Sequence, residues 1–358
     1  MRKYYTRPCN FYYGINAKRL IKTKKALPLA GNTNIAFDRL EVFKRKKNKK
    51  TTSTLYSLLE IQDVEKEKKF IIFKDLKIIT SKRKKIANID FKFPKIMGVL
   101  NMTPDSFSDG GLFFTDTKAY EQAYLMIKNG AAVIDIGGES TRPGSKTINT
   151  KIEWERIKEI IKKIKKKFPK TPISLDTRKS SIMNKGIKSG VKIINDVSGL
   201  NFDKKSIKII TSKKIPFILN HMQGVPTLMQ KKPHYTNALL DIYDFFEKKI
   251  NLLSKNNYKK ELIIIDPGIG FGKNLNHNLR IMSKISIFHS LGCPILLGTS
   301  RKRFIKHIVT KFDTPDRTGG TLASVLYGLL HGVQLFRIHN VKEINQGILV
   351  FSKILNTD

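Results

Sequence analysis

Short apolar runs recur along the chain from Pro94 onward, and each run ends in polar or reactive residues. The runs are KIMGVLN, AAVIDIGGES, PISLDT, KIINDVSG, PFILNHM, LIIIDPG, PILLGTSRK and VQLFRIHN. Nearly every position within them is apolar, as expected of strands in a parallel sheet that is buried on both faces. The pattern therefore predicts eight parallel strands.

The gaps between these runs show the spacing of amphipathic helices. In RIKEIIKKIKKKFPK, Ile157, Ile160, Ile161 and Ile164 recur at helical intervals, which leaves the lysines on the outer face. TKAYEQAYLMIKNG fills the first gap and ALLDIYDFFEKKINLLSKN a later one. Eight alternating strand and helix units predict an α/β fold, a (β/α)8 TIM barrel over residues 94–358. The alternative is an open doubly wound sheet, but its ligands would gather at one switch point, whereas here nearly every strand ends in a functional group.

Residues 1–93 differ in composition from the rest of the chain. The charge runs KRKKNKK and SKRKK each follow a strand-like piece, NIAFDRLEVF and KFIIFKDLKII, and no cluster of reactive residues is visible. We expect a small, β-rich N-terminal extension of unknown role.

The chain is strongly basic, with a formal net charge of +39. Because lysines fall on the outer faces of helices, we interpret this charge as a solvated surface, and nucleic-acid binding is the alternative. Cys9 and Cys293 stand far apart without metal-ligating neighbours, so we expect neither a disulfide nor a zinc site, and a cytoplasmic location. No apolar run is long enough to span a membrane. Residues 1–37 lack acids, as transit peptides do, but their tyrosines and few serines fit organelle import poorly.

Polar residues at the strand ends carry the functional prediction. They are Asn101, Asp135 with Glu139, Asp176, Asn195, His221, Asp266, Ser300 with Lys302, and Arg337 with His339. In a barrel the carboxyl ends of all strands surround one mouth, so we expect these residues to form one pocket. The acids and amides suit the N–H donors of a flat heterocycle, whereas Arg142, Lys302, Arg337 and His339 suit phosphate. The predicted ligand is a planar nitrogenous ring joined to phosphate.

Two loops at this mouth have an unusual composition. NMTPDSFSDGG and GGESTRPGS are rich in glycine, proline and hydroxyl residues. Residues 98–111 contain none of the 68 lysines and arginines of the chain. We expect both loops to fold over a bound substrate.

Eight motifs together identify a family. In order and spacing, MGVLNMTPDSFSDGG, DIGGESTRPGS, SLDTRKS, INDVSG, HMQGVP, DPGIGFGK, TSRK and RIHNV resemble the dihydropteroate synthases, from about Pro94 to the C-terminus. These transferases of folate biosynthesis condense 6-hydroxymethyl-7,8-dihydropterin diphosphate with 4-aminobenzoate to give 7,8-dihydropteroate and diphosphate. The resemblance implies a dissociative route through a pterin cation, a requirement for Mg2+, a homodimer formed through barrel helices, and a sulfonamide target.

The resemblance also implies a role for individual residues. The implied pterin contacts are Asp135, Asp176, Asn195, Met222, Asp266, Phe271 and Lys302. Among them, Asp176, Asn195 and Asp266 would hold the ring nitrogens and the amino group. Lys302 would lie against the ring and its carbonyl edge. Met222 and Phe271 would form apolar walls, or else serve only in packing.

A second group of residues is implied for the diphosphate and the aminobenzoate. Asn101, Arg337 and His339 would bind diphosphate, with Mg2+ bridging it to the first loop at Asn101. The residues expected to close over it are Arg142, Thr103, Asp105 and Ser106, and those expected to flank the aminobenzoate ring are Phe107, Thr141 and Pro143. The implied catalytic residues are Asp135, Asp176, Lys302 and Arg142.

Three positions depart from the family pattern. Arg303 stands where a small hydroxyl residue is common, which puts in question how the aminobenzoate carboxylate is held and whether sulfonamides bind. Asn220 and Asn340 also depart, and none of the three is expected to touch the pterin contacts. A pterin-binding methyltransferase barrel is an alternative, but it should lack the diphosphate residues. Small-molecule substrates, and neither nucleic acid nor membrane, are the expected partners.

Overall fold

The computed structural model describes residues 2–46, 49–103, 116–140, 144–224, 229–230, 233–310 and 316–357. Within these ranges the N-terminal extension contains an antiparallel sheet, in agreement with the prediction. Its elements are β1 (Tyr4–Tyr13), α1 (Gly14–Lys22), β2 (Leu27–Leu29), β3 (Asn32–Lys46), β4 (Lys49–Ser57) and α2 (Lys66–Thr80). The long strand β3 pairs with each of the other three strands.

One of the two strand predictions in this extension is wrong. NIAFDRLEVF lies in β3 as expected, but KFIIFKDLKII lies in α2. Ile72, Leu76 and Ile79 are spaced for a helix and are buried against the sheet. On the same face, the carboxylate of Asp75 accepts a hydrogen bond from Arg2. A short apolar run fits both periodicities, so packing decided between them.

The eight apolar runs form one parallel sheet in the described part of the chain. Its strands are β5 (Lys95–Asn101), β6 (Ala131–Gly137), β7 (Ile173–Asp176), β8 (Ile193–Asp196), β9 (Phe217–Asn220), β10 (Ile263–Asp266), β11 (Leu296–Leu297) and β12 (Leu335–Ile338). Their order in the sheet is β10, β9, β8, β7, β6, β5, β12, β11. A parallel bridge between Ile265 and Ile295 joins the two ends, so the sheet closes as the (β/α)8 prediction requires.

Helices follow the strands and cover the outside of the barrel. They are α3 (Asp116–Lys128), α4 (Thr150–Lys167), α5 (Ser180–Ser189), α6 (Ser206–Lys213), α7 (Ala238–Lys255), α8 (Leu275–Ser283), α9 (Arg303–Val309), α10 (Thr318–Leu330) and α11 (Val341–Leu355). The isoleucines predicted to face the core on α4 are buried. Among the described helices, none combines the length and the apolar character needed to cross a membrane.

The amino ends of the barrel strands are closed by apolar packing. Inward-facing side chains from seven strands form one cluster, which comprises Met97, Val133, Ile193, Ile218, Ile264, Leu296 and Leu335. Ile86, Ile89 and Phe91, which precede β5, pack against this cluster. The opposite mouth, at the carboxyl ends of the strands, is therefore the open end.

Ion pairs attach the extension to the side of the barrel. Arg45 of β3 lies 2.6 Å from Asp241 and 3.0 Å from Asp244, both on α7. Glu41, also on β3, binds Lys284 of the barrel at 2.9 Å. These contacts lie on the outer helical layer, so the extension supports the barrel without entering its mouth.

Candidate active site

Strand register places the predicted acids and amides side by side at the mouth. Asp176 pairs with Gly137 of β6 on one side and with Asn195 of β8 on the other. Arg337 of β12 reaches across this row, with Nε 2.7 Å from Asp135 Oδ2 and Nη2 2.9 Å from Asp176 Oδ2. Asn195 Nδ2 donates to the same Asp135 oxygen at 3.0 Å. Residues separated by more than 200 positions thus form one network.

Several buried acceptors in this network lack a hydrogen-bond partner within the described ranges. These atoms include Asp135 Oδ1, Asp176 Oδ1 and Asn195 Oδ1. A buried polar atom left without a partner costs about 1–3 kcal/mol, so native proteins rarely retain one without a reason. A ligand with several N–H donors would satisfy these acceptors.

Burial and Arg337 shift the pKa of Asp176 in opposite directions. Burial raises the pKa of Asp176 to about 7, Arg337 opposes the rise, and Asp135 adds to it. For Arg337, burial alone would lower the pKa, but the carboxylates of Asp135 and Asp176 raise it above its ordinary value. Arg337 therefore remains a cation between two buried acids.

Asp266 is held by the loop that follows it. Its Oδ1 accepts a hydrogen bond from the Gly268 amide at 2.8 Å, and its Oδ2 accepts one from Asn220 Nδ2 at 3.3 Å. Burial raises the pKa of Asp266, while the Gly268 amide and Lys302 oppose this rise. Asn220 was not expected to touch the pterin contacts, and its bond to Asp266 corrects that expectation.

Lys302 lies over an aromatic wall. Its Nζ is 3.8 Å from the centroid of the Phe271 ring, a cation–π distance. Phe271 packs with Met222, Val197 and Met229 in a small apolar cluster. Burial and the nearby Arg337 together lower the pKa of Lys302 to about 8, against the attraction of Asp266 and Asp176. At pH 7 the amine is still mainly an ammonium.

Two cavities meet at this cluster. The inner one is small and is lined by Asn195, Asn220 and Asp266 among others, and the outer one has a volume of about 740 Å³. The residues shared by both linings are Phe271, Ser300, Lys302, Arg337 and His339. Asn101, Thr103 and Arg303 line only the outer cavity. The mouth is thus divided into an inner part rich in acceptors and an outer part rich in cations.

Two of the expected strand-end residues serve other purposes. Glu139 lines the outer cavity as expected, but its carboxylate forms ion pairs with Arg178 at 2.9 Å and Lys179 at 2.8 Å. The ring of His221 lines neither cavity and lies with Nδ1 3.0 Å from Lys273 Nζ, behind the loop after β10. Sequence reasoning assigned no role to Lys273, although it is the last residue of the DPGIGFGK motif, because nothing local shows which groups its amine contacts.

The remaining predicted residues divide into two groups. Asn101, Thr103 and His339 line the cavities, as do four of the pterin contacts, Asn195, Asp266, Phe271 and Lys302, and His339 Nδ1 is 3.0 Å from the Ser300 hydroxyl. Asp135, Asp176 and Met222 line neither cavity. They contact residues that do, namely Arg337 for the two acids and Phe271 for Met222. The predicted residues that fall outside the described ranges are Asp105, Ser106, Phe107, Thr141, Arg142 and Pro143. Their roles stay predictions.

Comparison with known proteins gives a consistent result. Residues 97–339 match a family described as pterin binding enzyme. The dihydropteroate synthase of Escherichia coli (strain K12) is 35% identical over 270 residues, which cover 75% of this chain and 95% of that protein. The Yersinia pestis dihydropteroate synthase, solved with a sulfonamide drug complex, has a TM-score of 0.71 and 33% identity, covering 75% of this chain and 97% of that one.

A third relative has been solved with the molecules of the reaction. Xanthomonas albilineans dihydropteroate synthase with 4-aminobenzoic acid has a TM-score of 0.71 and 31% identity, covering 77% of this chain and 99% of that one. In complex with 7,8-dihydropteroate the same protein has a TM-score of 0.67 and 28% identity, and the match covers 75% of this chain and 97% of that one. The resemblance seen in the motifs is confirmed, and so is the barrel fold. By sequence and by structure, this chain belongs to the pterin-binding enzymes and, among them, to the dihydropteroate synthases.

Proposed function

We propose that this protein joins 6-hydroxymethyl-7,8-dihydropterin diphosphate to 4-aminobenzoate, forming 7,8-dihydropteroate and releasing diphosphate. The observation that carries the proposal is that Asp176 and Asn195 have buried acceptor atoms without a partner among the described residues, close to the cations of Lys302 and Arg337. A pterin carries N–H donors along one edge and a carbonyl oxygen beside them. The inner part of the mouth offers acceptors to the N–H donors and the Lys302 ammonium to the carbonyl oxygen.

The diphosphate fits the outer part of the mouth. Arg337 and His339 line both cavities and Asn101 lines the outer one. No group of three acidic, histidine or cysteine side chains that could hold a metal occurs among the described residues. Mg2+ commonly binds few protein oxygens and completes its shell with water and substrate phosphates, so it does not require such a group. Asn101 would supply the amide oxygen, and the ion would neutralise charge on the departing diphosphate.

The chain's own residues account for the chemistry on both sides of the reacting carbon. The C–O bond breaks with its electron pair going to diphosphate, and the positive charge left on the methylene spreads into the pterin ring. The carboxylates of Asp135 and Asp176 stabilise that charge, while Arg337 and His339 stabilise the leaving group. The aniline nitrogen then forms the C–N bond and loses a proton to water. Positioning of the two substrates supplies much of the rate.

Arg303 is the candidate residue for binding the second substrate, 4-aminobenzoate. It lines the outer cavity at the start of α9. Its guanidinium can attract the carboxylate of 4-aminobenzoate, which would replace the hydroxyl residue common at this position. A sulfonamide, which resembles aminobenzoate but lacks that carboxylate, would gain less from Arg303.

Three further proposals accompany this function. A homodimer through barrel helices is supported by the exposed apolar side chains of α11, namely Leu349, Val350 and Ile354. A cytoplasmic location is supported by two free, buried thiols, Cys9 and Cys293. That the positive surface binds no nucleic acid stays a prediction.

The test is to incubate the purified protein with the pterin diphosphate, 4-aminobenzoate and Mg2+, and to measure dihydropteroate and diphosphate. Asp266→Ala and Lys302→Ala should each lower kcat by roughly 100-fold or more, since preorganised polar groups contribute on that scale. Circular dichroism should show that both variants are folded. Lys342→Ala, a change of an exposed lysine on α11, is the matched control and should leave kcat unaltered. Wild-type protein that binds the pterin but releases no diphosphate would point to the methyltransferase alternative.

A further inference from the structure

Lys273 is a buried residue in the lining of the outer cavity, and it takes no part in the chemistry above. Its Nζ donates to the carbonyl oxygens of Gly268 at 2.9 Å, Phe271 at 3.0 Å and His221 at 3.2 Å. The residue is 3% exposed, and no carboxylate of the described chain forms an ion pair with it. Burying an amine without a carboxylate is costly. An apolar residue would avoid that cost, so the contacts themselves must explain this lysine.

The three carbonyls belong to two different loops. His221 follows β9, whereas Gly268 and Phe271 follow β10. The loops meet backbone to backbone, because a Cβ on Gly268 would lie 2.0 Å from the His221 oxygen and one on Gly272 would lie 2.4 Å from the Gln223 oxygen. Lys273 therefore links two loops that approach too closely for side chains to fit between them.

The electrostatic surroundings allow this link in either charge state. Burial lowers the pKa of Lys273 well below its ordinary value, Asp266 opposes that effect and Lys302 reinforces it. Burial also lowers the pKa of His221, so its ring is neutral. The charged amine has three N–H donors, one for each carbonyl, whereas the neutral amine has two and can still bond one carbonyl on each loop.

The linked backbone carries a wall of the pterin pocket. One of the three acceptors is the carbonyl of Phe271, and the ring of Phe271 lies 3.8 Å from Lys302 Nζ. On the other loop, Met222 follows His221 and packs against Phe271. We propose that Lys273 is a positioning residue, which fixes the two loops so that Phe271 holds Lys302 against the pterin. This inference rests on the proposed function.

The test compares Lys273→Met, Phe271→Leu and the double variant. Methionine preserves most of the volume and removes the donors. We expect kcat/KM for the pterin diphosphate to fall roughly ten- to hundredfold, as small displacements of reacting groups do. The KM for 4-aminobenzoate should change less. If Lys273 acts through Phe271, the kcat/KM of the double variant should be no lower than that of the less active single variant.

Controls separate positioning from a general loss of stability. Lys259→Met replaces an exposed lysine and should alter neither constant. Should Lys273→Met fail to fold, Lys273→Gln retains donors on a shorter stem and should show the same pattern more weakly. The affinity for 6-hydroxymethylpterin, measured by calorimetry, must fall in step with kcat/KM and reports on the pocket even if the wild type makes no product. Unchanged pterin affinity in a folded variant, or losses that multiply in the double variant, would overturn the proposal.

Discussion

Asp176 shows how one residue can be arranged for function at the expense of stability. Burial raises the pKa of this carboxyl to about 7, although Arg337 lies 2.9 Å away. One of its oxygens has no hydrogen-bond partner in the described part of the protein. The free carboxylate is therefore in an unfavourable state that a pterin would relieve.

This arrangement predicts how Asp176→Asn changes stability with pH. A carboxyl whose pKa is higher in the folded protein stabilises it below the unfolded pKa, and this stabilisation is lost as pH rises through about 7. The variant should therefore gain stability relative to wild type between pH 5 and pH 8, by about 2–3 kcal/mol. Chemical unfolding at both pH values, without substrate, measures the difference.

Asp203→Asn is the matched control for this experiment. Burial raises the pKa of Asp203, but hydrogen bonds from Ser180 and Lys205 outweigh burial and leave this pKa below its ordinary value. Its stabilising effect is lost only as the pH falls through that lowered pKa, so the cost of this variant should be similar at pH 5 and pH 8. Parallel curves for wild type and Asp176→Asn would contradict the pKa shift.

Among the elements, β3 and α7 are joined by a buried cation between two acids. The side chain of Arg45 is 10% exposed, whereas those of Asp241 and Asp244 are 27% and 24% exposed. Removal of the arginine would leave two like charges near each other on α7, but solvent would screen part of their repulsion. The contact therefore stabilises the attachment of the extension rather than the mouth.

We predict that Arg45→Ala lowers the free energy of unfolding by about 1–3 kcal/mol. Because α7 lies outside the mouth, kcat/KM of the folded enzyme should be preserved. Thermal unfolding and steady-state kinetics on one preparation measure both. Arg39→Ala changes an exposed position of the same strand and should lower the free energy of unfolding by less than about 1 kcal/mol, as is typical of surface substitutions. Loss of activity without loss of stability would show that the extension acts on the site.

For the whole molecule, α11 presents an apolar surface to solvent. Leu349, Val350 and Ile354 are 62%, 57% and 64% exposed. Large apolar side chains grouped on one helix are typical of a surface that another protein covers. A second copy of this chain is the proposed partner.

The corresponding prediction concerns mass in solution. The chain has a mass of 40.9 kDa, and light scattering should find twice that value for wild type. Leu349→Glu should shift the equilibrium to the monomer, because it places a charge in the covered surface. Lys342→Glu, on an exposed position of the same helix, should not. A monomeric wild type, or a variant that stays dimeric, would exclude this surface.

Sequence reasoning succeeded where one physical constraint dominates. A strand buried on both faces must be apolar, so runs such as LIIIDPG revealed the barrel. The polar residue at the end of such a run must lie at the mouth, as Asp176 and Asp266 do. It failed for KFIIFKDLKII, whose apolar residues satisfy both periods, because contacts with the sheet made it a helix.

The sequence by itself determined the fold and the family, because apolar periodicity and eight motifs in order leave few other structures. Only the tertiary structure decided what each polar side chain contacts. In the folded protein Glu139 forms ion pairs with Arg178 and Lys179, and the ring of His221 lies behind a loop. Asn220 donates a hydrogen bond to Asp266, and Lys273 links two loops. The direction of a side chain at a strand end depends on neighbouring loops that come from distant parts of the chain, and a local pattern carries no record of them.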